Sequence, residues 1–361
     1  MADFVYANRK LAVPFARGGD AWDVHEWLLG LSGCQLTASR IALAPDGSPT
    51  DVAVTACERF RALSLAATAS VSAGRVDVTV SDGTGRSYQL VLVQRAEVPA
   101  AVARMLISRP PKFVMTAQDG SDDVAALALA HGVPCFVVIN YVEPNEGRLA
   151  LLADRGCRLV AGSSFLQSHY APLRPELVEP AIDPVRYSVQ AEDGDRVTMI
   201  NPIPPKGGAT FLRLAFRLPE VRFLAVEGWK DMAELFRRHA RENLEWAPWH
   251  PDVRPALRRT RLLVAPAVWP EAFCRIVVEA QVSGIPAVVS GRGGLPATVG
   301  LGGVVVADPE DVDAWVAAVA RLWDDSAERS RLAELARINA ARFTPQASAR
   351  SLLALIEADA G

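Results

Sequence analysis

Two glutamates, Glu271 and Glu279, stand with seven residues between them in the segment WPEAFCRIVVEAQVSGIPAVVSGRGGLPATVG, residues 269–300. An ionised carboxylate is a strong hydrogen-bond acceptor, so such a pair suits the hydroxyls of a sugar. Further upstream, MINPIPPKGGATF carries Lys206, one of only four lysines in a chain whose other basic residues are arginine. A fixed cation stabilises negative charge that develops beside it. Each residue also has a plain structural reading. A lone helical glutamate most often pairs with an arginine, and a lysine in PPKGG can be an exposed turn residue.

The elements around these residues decide where they can meet. The run LLVAPAV reads as a buried strand ending near Pro270, and Glu271 lies in the short loop after it. A helix carrying Glu279 follows and closes at Ser283-Gly284, a good C-cap. Then come a second buried strand, PAVVS, and the turn Arg292-Gly293-Gly294. In open α/β sheets, ligands bind beyond the carboxyl ends of the strands. Both loops belong at that edge, where a helix N-terminus offers free N–H groups to an anion.

The same alternation of short apolar runs and amphipathic stretches fills most of the chain, which predicts βα units and parallel sheets. Strands are expected at 4–7, 40–43, 89–94, 113–116, 134–139 and 158–162, with helices at 20–31, 98–107, 122–131, 146–155 and 164–170. Alternation over 70–88, around SDGTGRS, predicts an antiparallel hairpin. The stretch PAIDPVRYSVQAEDGDR is dense in turn residues and places a domain boundary near 187–195. Strands then restart at 196–200, 222–226, 243–247, 262–265, 287–289 and 304–306. Helices are expected at 207–217, 230–240, 252–259, 275–283 and 312–325, and 327–360 reads as strongly helical. At 361 residues the chain exceeds what one core normally serves, so two domains are expected.

Residues 269–300 closely resemble the donor-site signature of family 4 retaining glycosyltransferases. The likeness combines the glutamate spacing, the flanking Trp-Pro, the EAQ-SGIP continuation and the Gly-Gly turn. It implies an α/β fold of the GT-B kind, with two Rossmann-like β/α/β domains facing a central cleft. The domains would be 1–187 on the acceptor side, 188–345 for the nucleotide sugar, and a helix at 346–361 crossing back to the first. By this resemblance Glu271 contacts the donor sugar and Glu279 the ribose hydroxyls. The loop Ala272-Phe273-Cys274-Arg275 lines the donor, with the amides around Phe273 and Cys274 facing sugar and diphosphate. Residues 199–229 are similar to the family's first strand–loop–helix of the nucleotide domain, and Lys206 falls where the family has a lysine on the diphosphate. With Glu271, Lys206 would make up the catalytic set. Gly18 and Gly19 match a glycine pair that approaches the donor, although an isolated Gly-Gly is by itself an ordinary turn. Trp249 or Trp246 could cover the base, or either could be core. The likeness is good over about 160–325 and topological only over 1–110.

Three positions depart from the family pattern. Asn201 stands where an arginine is common, so phosphate grip would be shared with Arg275 or Arg292. Cys274 takes a position that is usually glycine, and Ala297 one where a glutamate often follows Gly-Gly. Asn140 lies near a place where many members have a histidine. The implied activity is retaining, metal-independent transfer of a hexose-type sugar from a nucleotide-diphosphate donor to a small-molecule hydroxyl, with no cofactor. The departures leave an alternative, a pseudo-transferase that binds a nucleotide sugar or a partner chain.

Other classes fit less well. The net charge of -3 predicts no general affinity for nucleic acid. The five cysteines form no CxxC pair, so neither a disulfide framework nor a zinc site is expected and a reducing cytoplasm fits. No signal peptide is evident, and no run approaches the ~20 apolar residues that span a bilayer. A nicotinamide enzyme is disfavoured because no G-x-G-x-x-G follows the first strand. A sugar-nucleotide epimerase would need an acid/base pair near the sugar that the sequence does not offer.

Overall fold

The structure is a computed structural model. It describes every residue except 1–2, 17–18, 120–121, 144–145, 192–193, 231, 240 and 360–361. The chain divides into two compact units, Met1–Ala181 together with Pro345–Gly361, and Ile182–Thr344.

The first unit is built on nine strands: β1 (Phe4–Leu11), β2 (Ala38–Leu43), β3 (Ala66–Ser72), β4 (Arg75–Ser81), β5 (Ser87–Val93), β6 (Phe113–Ala117), β7 (Cys135–Ile139), β8 (Arg158–Ala161) and β9 (Glu176–Leu177). Their order across the sheet is β3-β4-β5-β2-β1-β6-β7-β8-β9. From β5 to β9 neighbours run parallel, while β3, β4 and β5 form an antiparallel meander. The alternation over 70–88 therefore belongs to two successive hairpins. The first turns at Ala73 and Gly74, both at positive φ, which is the backbone a two-residue hairpin loop of matching twist requires. Along β4 and β5, Val76, Val78, Val80, Tyr88, Leu90 and Leu92 face the core. A helix over Pro49–Ala62 was not anticipated. Ser48 caps it through Asp51 N–H, Pro49 opens it, and Val52, Ala53, Ala56 and Phe60 are buried. The final helical stretch is two helices, Ser326–Ala340 and Pro345–Asp359, broken at Thr344 ahead of a proline that cannot continue a helix. Pro345–Asp359 packs on the helix Gly19–Gly33, where a Cβ on Gly30 would come within 3.0 Å of the Pro345 carbonyl.

The second unit has six parallel strands: β10 (Arg196–Ile200), β11 (Phe223–Val226), β12 (Leu244–Ala247), β13 (Thr260–Ala265), β14 (Ala287–Ser290) and β15 (Gly303–Val306). The order β12-β11-β10-β13-β14-β15 is that of a Rossmann domain, with its reversal point between β10 and β13. Both faces of this sheet are covered, which explains its unbroken apolar runs. Along β13, Leu262 and Val264 join a core with Phe211, Phe223 and Trp315, whereas Leu263 and Ala265 join another with Val277, Val289 and Leu295.

Candidate active site

The reversal point is where Lys206 and Glu271 meet. Lys206 ends the short 3-10 turn Pro204–Lys206 after β10, and Glu271 lies in the loop after β13, the strand beside it. Backbone contacts clip the two loops together. The amides of Val268 and Trp269 donate to the Pro205 carbonyl at 3.0 and 3.3 Å. Gly207, at φ +87°, closes the turn so tightly that a Cβ would lie 1.9 Å from the Pro266 carbonyl. The Lys206 Nζ then sits 3.0 Å from Glu271 Oε2, with the side chains only 16% and 12% exposed. The same Oε2 accepts from Trp269 Nε1 at 2.9 Å. Trp229 and Trp269 flank the ammonium, their ring centres 4.9 and 5.8 Å from Nζ. Burial alone would push the Lys206 ammonium down, but Glu271 outweighs it and holds the group above the ordinary lysine range.

The Gly-Gly turn braces the same loop from β14. Gly294 N–H donates to the Glu271 carbonyl, and a Cβ on Gly293 or Gly294 would lie 2.2 Å from the Glu271 carbonyl or 2.1 Å from that of Ala272. Gly293 is also at φ +60°. The loop then turns into the helix Arg275–Gln281 through Cys274, a non-glycine residue at φ +73°. That conformation favours glycine, which gives a physical reason why glycine is usual here. The Cys274 thiol is pushed up to about 12, by burial first and then by the Glu271 carboxylate, so it is a neutral thiol at physiological pH. The amides of Ala272, Phe273 and Cys274 make no hydrogen bond among the described residues. Phe273 turns its ring away into a cluster with Tyr187 and Phe343, 5.1 Å from the latter.

On the helix, Arg275 Nε donates to Glu279 Oε1 at 3.1 Å, and Arg275 Nη2 donates to the Tyr187 hydroxyl at 3.2 Å. Both charged side chains are nearly buried, at 7% and 11% exposure. Lys206, Glu271, Ala272, Cys274, Arg275 and Glu279 thus share one edge of one sheet, with two cations against two carboxylates.

The remaining expected residues are placed differently. Asn201 is buried at φ +60°. Its Oδ1 accepts from the Trp229 amide at 3.2 Å, and its side chain lies where a Cβ on Gly228 would stand, so it shapes the strand end that carries Trp229. Trp249 is half-buried in the loop after β12, while Trp246 packs on Phe236 at 4.8 Å, as core. Arg292 and Ala297 are exposed. Gly19 opens the first helix, and Gly18 lies outside the described residues. Sequence reasoning missed Trp229, Trp269 and Tyr187 as site residues. A tryptophan two positions before Glu271 was the available signal for Trp269, since a donor placed there can only reach that loop. Among the described residues no group of three or more His, Cys, Asp or Glu side chains could hold a metal ion.

Comparison with known proteins bears on this edge directly. Residues 203–325 match the family described as Glycosyl transferases group 1. The match lies within the second unit and covers about a third of the chain. Relatives include D-inositol 3-phosphate glycosyltransferases of Corynebacterium kroppenstedtii, 37% identical over 113 residues (31% of this chain, 25% of the relative), and of Salinispora tropica, 36% identical over 104 residues (28% and 21%). The alignments thus span about a quarter of the length of these relatives. Among solved structures, a glycosyltransferase from Rickettsia africae ESF-5 superposes with a TM-score of 0.74 at 13% identity, covering 99% of this chain and 98% of that one. Anabaena Alr3699/HepE in complex with UDP and glucose gives 0.75 at 14% identity, over 99% and 100%. The fold is therefore GT-B, with two parallel-sheet, Rossmann-like halves. Among the described residues no helix is long and apolar enough to cross a membrane.

Proposed function

We propose that the chain is a retaining glycosyltransferase that moves a hexose-type sugar from a nucleotide-diphosphate donor to a hydroxyl of a small-molecule acceptor, without a metal. The observation that carries this reading is the Lys206–Glu271 pair, nearly buried at the reversal point of the second sheet. The names of the relatives, and the UDP and glucose in the Anabaena structure, support the same class of substrate.

In this reading the diphosphate lies against Lys206 and the free amides of residues 272–274. As the anomeric bond breaks, charge builds on the leaving phosphate, and the fixed ammonium stabilises it. Glu271 accepts from sugar hydroxyls with the oxygen not held by Lys206, and Glu279 accepts from the ribose. The acceptor hydroxyl approaches on the face from which the diphosphate leaves, and that phosphate takes its proton. No pair of catalytic carboxylates is then needed, unlike glycoside hydrolysis.

The test is a thermal-shift series with UDP, GDP, ADP and dTDP, each with and without EDTA, on the wild type and Glu279→Ala. A diphosphate at 100 times its Kd adds about 2.7 kcal/mol. One diphosphate should stabilise the wild type despite EDTA and the variant much less. No shift with any of them would sink the donor site, and a shift abolished by EDTA would sink metal independence.

A further inference from the structure

Away from the strand ends that carry the candidate active site, the first unit holds a second chemical feature. β7 and β8 run parallel with Phe136 opposite Arg158. The residues immediately before them, Cys135 and Cys157, therefore stand side by side at the amino ends of the two strands. Both are free and buried. Neighbouring strands lie about 4.8 Å apart, inside the roughly 4.4–6.8 Å Cα separation that a disulfide spans. Cys135 also lines an open cavity of ≈ 270 Å³ together with Gly132, Gly156 and Arg158, and Cys157 stands between the last two in sequence.

We propose that Cys135 and Cys157 form a dithiol site that takes thiophilic ligands and closes reversibly to a disulfide with small-molecule disulfides. The step balances as an exchange. A Cys157 thiolate attacks one sulfur of a small disulfide, RSSR, and one RS⁻ leaves, giving a mixed disulfide on Cys157. The Cys135 thiolate then attacks Cys157 Sγ and expels the second RS⁻. The two protein thiols lose two electrons and two protons, and RSSR becomes two RSH. Cys157 is taken as the first nucleophile: its neighbour Cys135 lowers its thiol below the ordinary range, while Cys157 and burial push Cys135 up. The other cysteines have no such neighbour: Cys34 is exposed, Cys57 is half-buried on its helix, and Cys274 belongs to the second unit.

The full native chain is incubated with glutathione disulfide, quenched by alkylation, digested with trypsin without reduction and mapped by mass spectrometry. The expected product links the peptide of residues 113–148 to that of residues 156–158, two hydrogens lighter than the free pair, and dithiothreitol restores both. In parallel, phenylarsine oxide, which bridges two close thiols, should protect these two cysteines and no others from alkylation. Cys135→Ser and Cys157→Ser should each remove the protection. Full alkylation of both cysteines after either treatment of the native wild type would overturn the proposal. So would cross-links that instead involve Cys34 or Cys57. The wild-type map decides the matter even if a variant fails to fold.

Discussion

Replacing Glu271 by glutamine removes one charge and almost no volume, so it isolates the electrostatics of the site. At 3.0 Å and an effective dielectric of ~20, the attraction to Lys206 is about 5.5 kcal/mol before desolvation. The amide keeps a hydrogen bond of about 1 kcal/mol, and no longer desolvating a carboxylate offsets part of the rest. A net loss of about 2–3 kcal/mol is expected, below the ~3–5 typical when a buried ion pair loses one partner outright. That corresponds to roughly 5–10 °C in Tm for a unit of this size. Lys206→Met should cost a similar amount. The double variant should cost well under the sum, with a coupling of about 2 kcal/mol, because neither charge is then left buried alone. Urea unfolding followed by tryptophan emission is suited to this cycle, since Trp229 and Trp269 flank the pair. Function should separate the two single variants. Glu271→Gln frees Lys206 and should bind the nucleoside diphosphate at least as tightly as wild type while turnover falls. Lys206→Met should weaken the diphosphate itself. Additive stabilities, or a diphosphate affinity that falls equally in both single variants, would refute the picture of one shared ion pair serving the leaving group.

Three further outcomes follow from the same geometry. Cys274→Gly should be more stable than Cys274→Ala by about 1 kcal/mol, because residue 274 holds φ +73°; a Tm order of Ala above Gly would contradict that backbone. Gly293→Ala should cost more than 2 kcal/mol and abolish donor binding, read by calorimetry, since its Cβ would meet the Glu271 carbonyl at 2.2 Å; wild-type affinity would count against the brace. Acid should loosen the second unit. Burial would raise Asp252, but Arg254 and a backbone N–H hold it below its usual range; Arg222 and Arg196 do the same for Asp195, and Arg259 lowers Glu245. Groups lowered in the folded state contribute stability above about pH 4, and that stability is lost as pH falls through their folded values. A Tm that stays flat from pH 5 to 3 would contradict these pairings.

The second sheet was legible because its strands are buried on both faces and read as apolar runs bounded by glycine and proline. Its candidate site was legible as one stretch because Glu271, Glu279 and Gly293-Gly294 lie close together in the chain. The first unit was harder. The helix over Pro49–Ala62 exposes Val54 and carries charged residues among its apolar ones, so its periodicity is faint, and only the Ser48-Pro49 cap announces it. The single hairpin expected over 70–88 was a three-strand meander because β3 is largely exposed and has no apolar face to read. Long-range pairing was not legible at all. Nothing local to Trp229 says that Asn201 holds its amide, and nothing local to Arg275 says that Tyr187 receives its guanidinium.

The charge arrangement also bears on how such a site exists without its donor. Burial by itself works against the charged form of Lys206, which a carboxylate or a bound phosphate can offset, and a neutral amine gives a leaving phosphate far less help. Glu271 keeps Lys206 charged while the site is empty, and the two tryptophans limit the water that would screen the pair. Arg275 and Glu279 repeat the device one helical turn apart, with Tyr187 fixing the arginine. Each cation therefore rests against a carboxylate that the reading above assigns to a different part of the donor, Glu271 to the sugar and Glu279 to the ribose. Donor entry would replace carboxylate–cation contacts by phosphate–cation and hydroxyl–carboxylate contacts, so no buried charge is left unpaired at either stage. Such an exchange would need no ion from solution, which is what the proposed metal independence requires. It would also tie Lys206 to Glu271: in the proposed reading, the carboxylate that binds the sugar is the one that keeps the leaving-group cation charged.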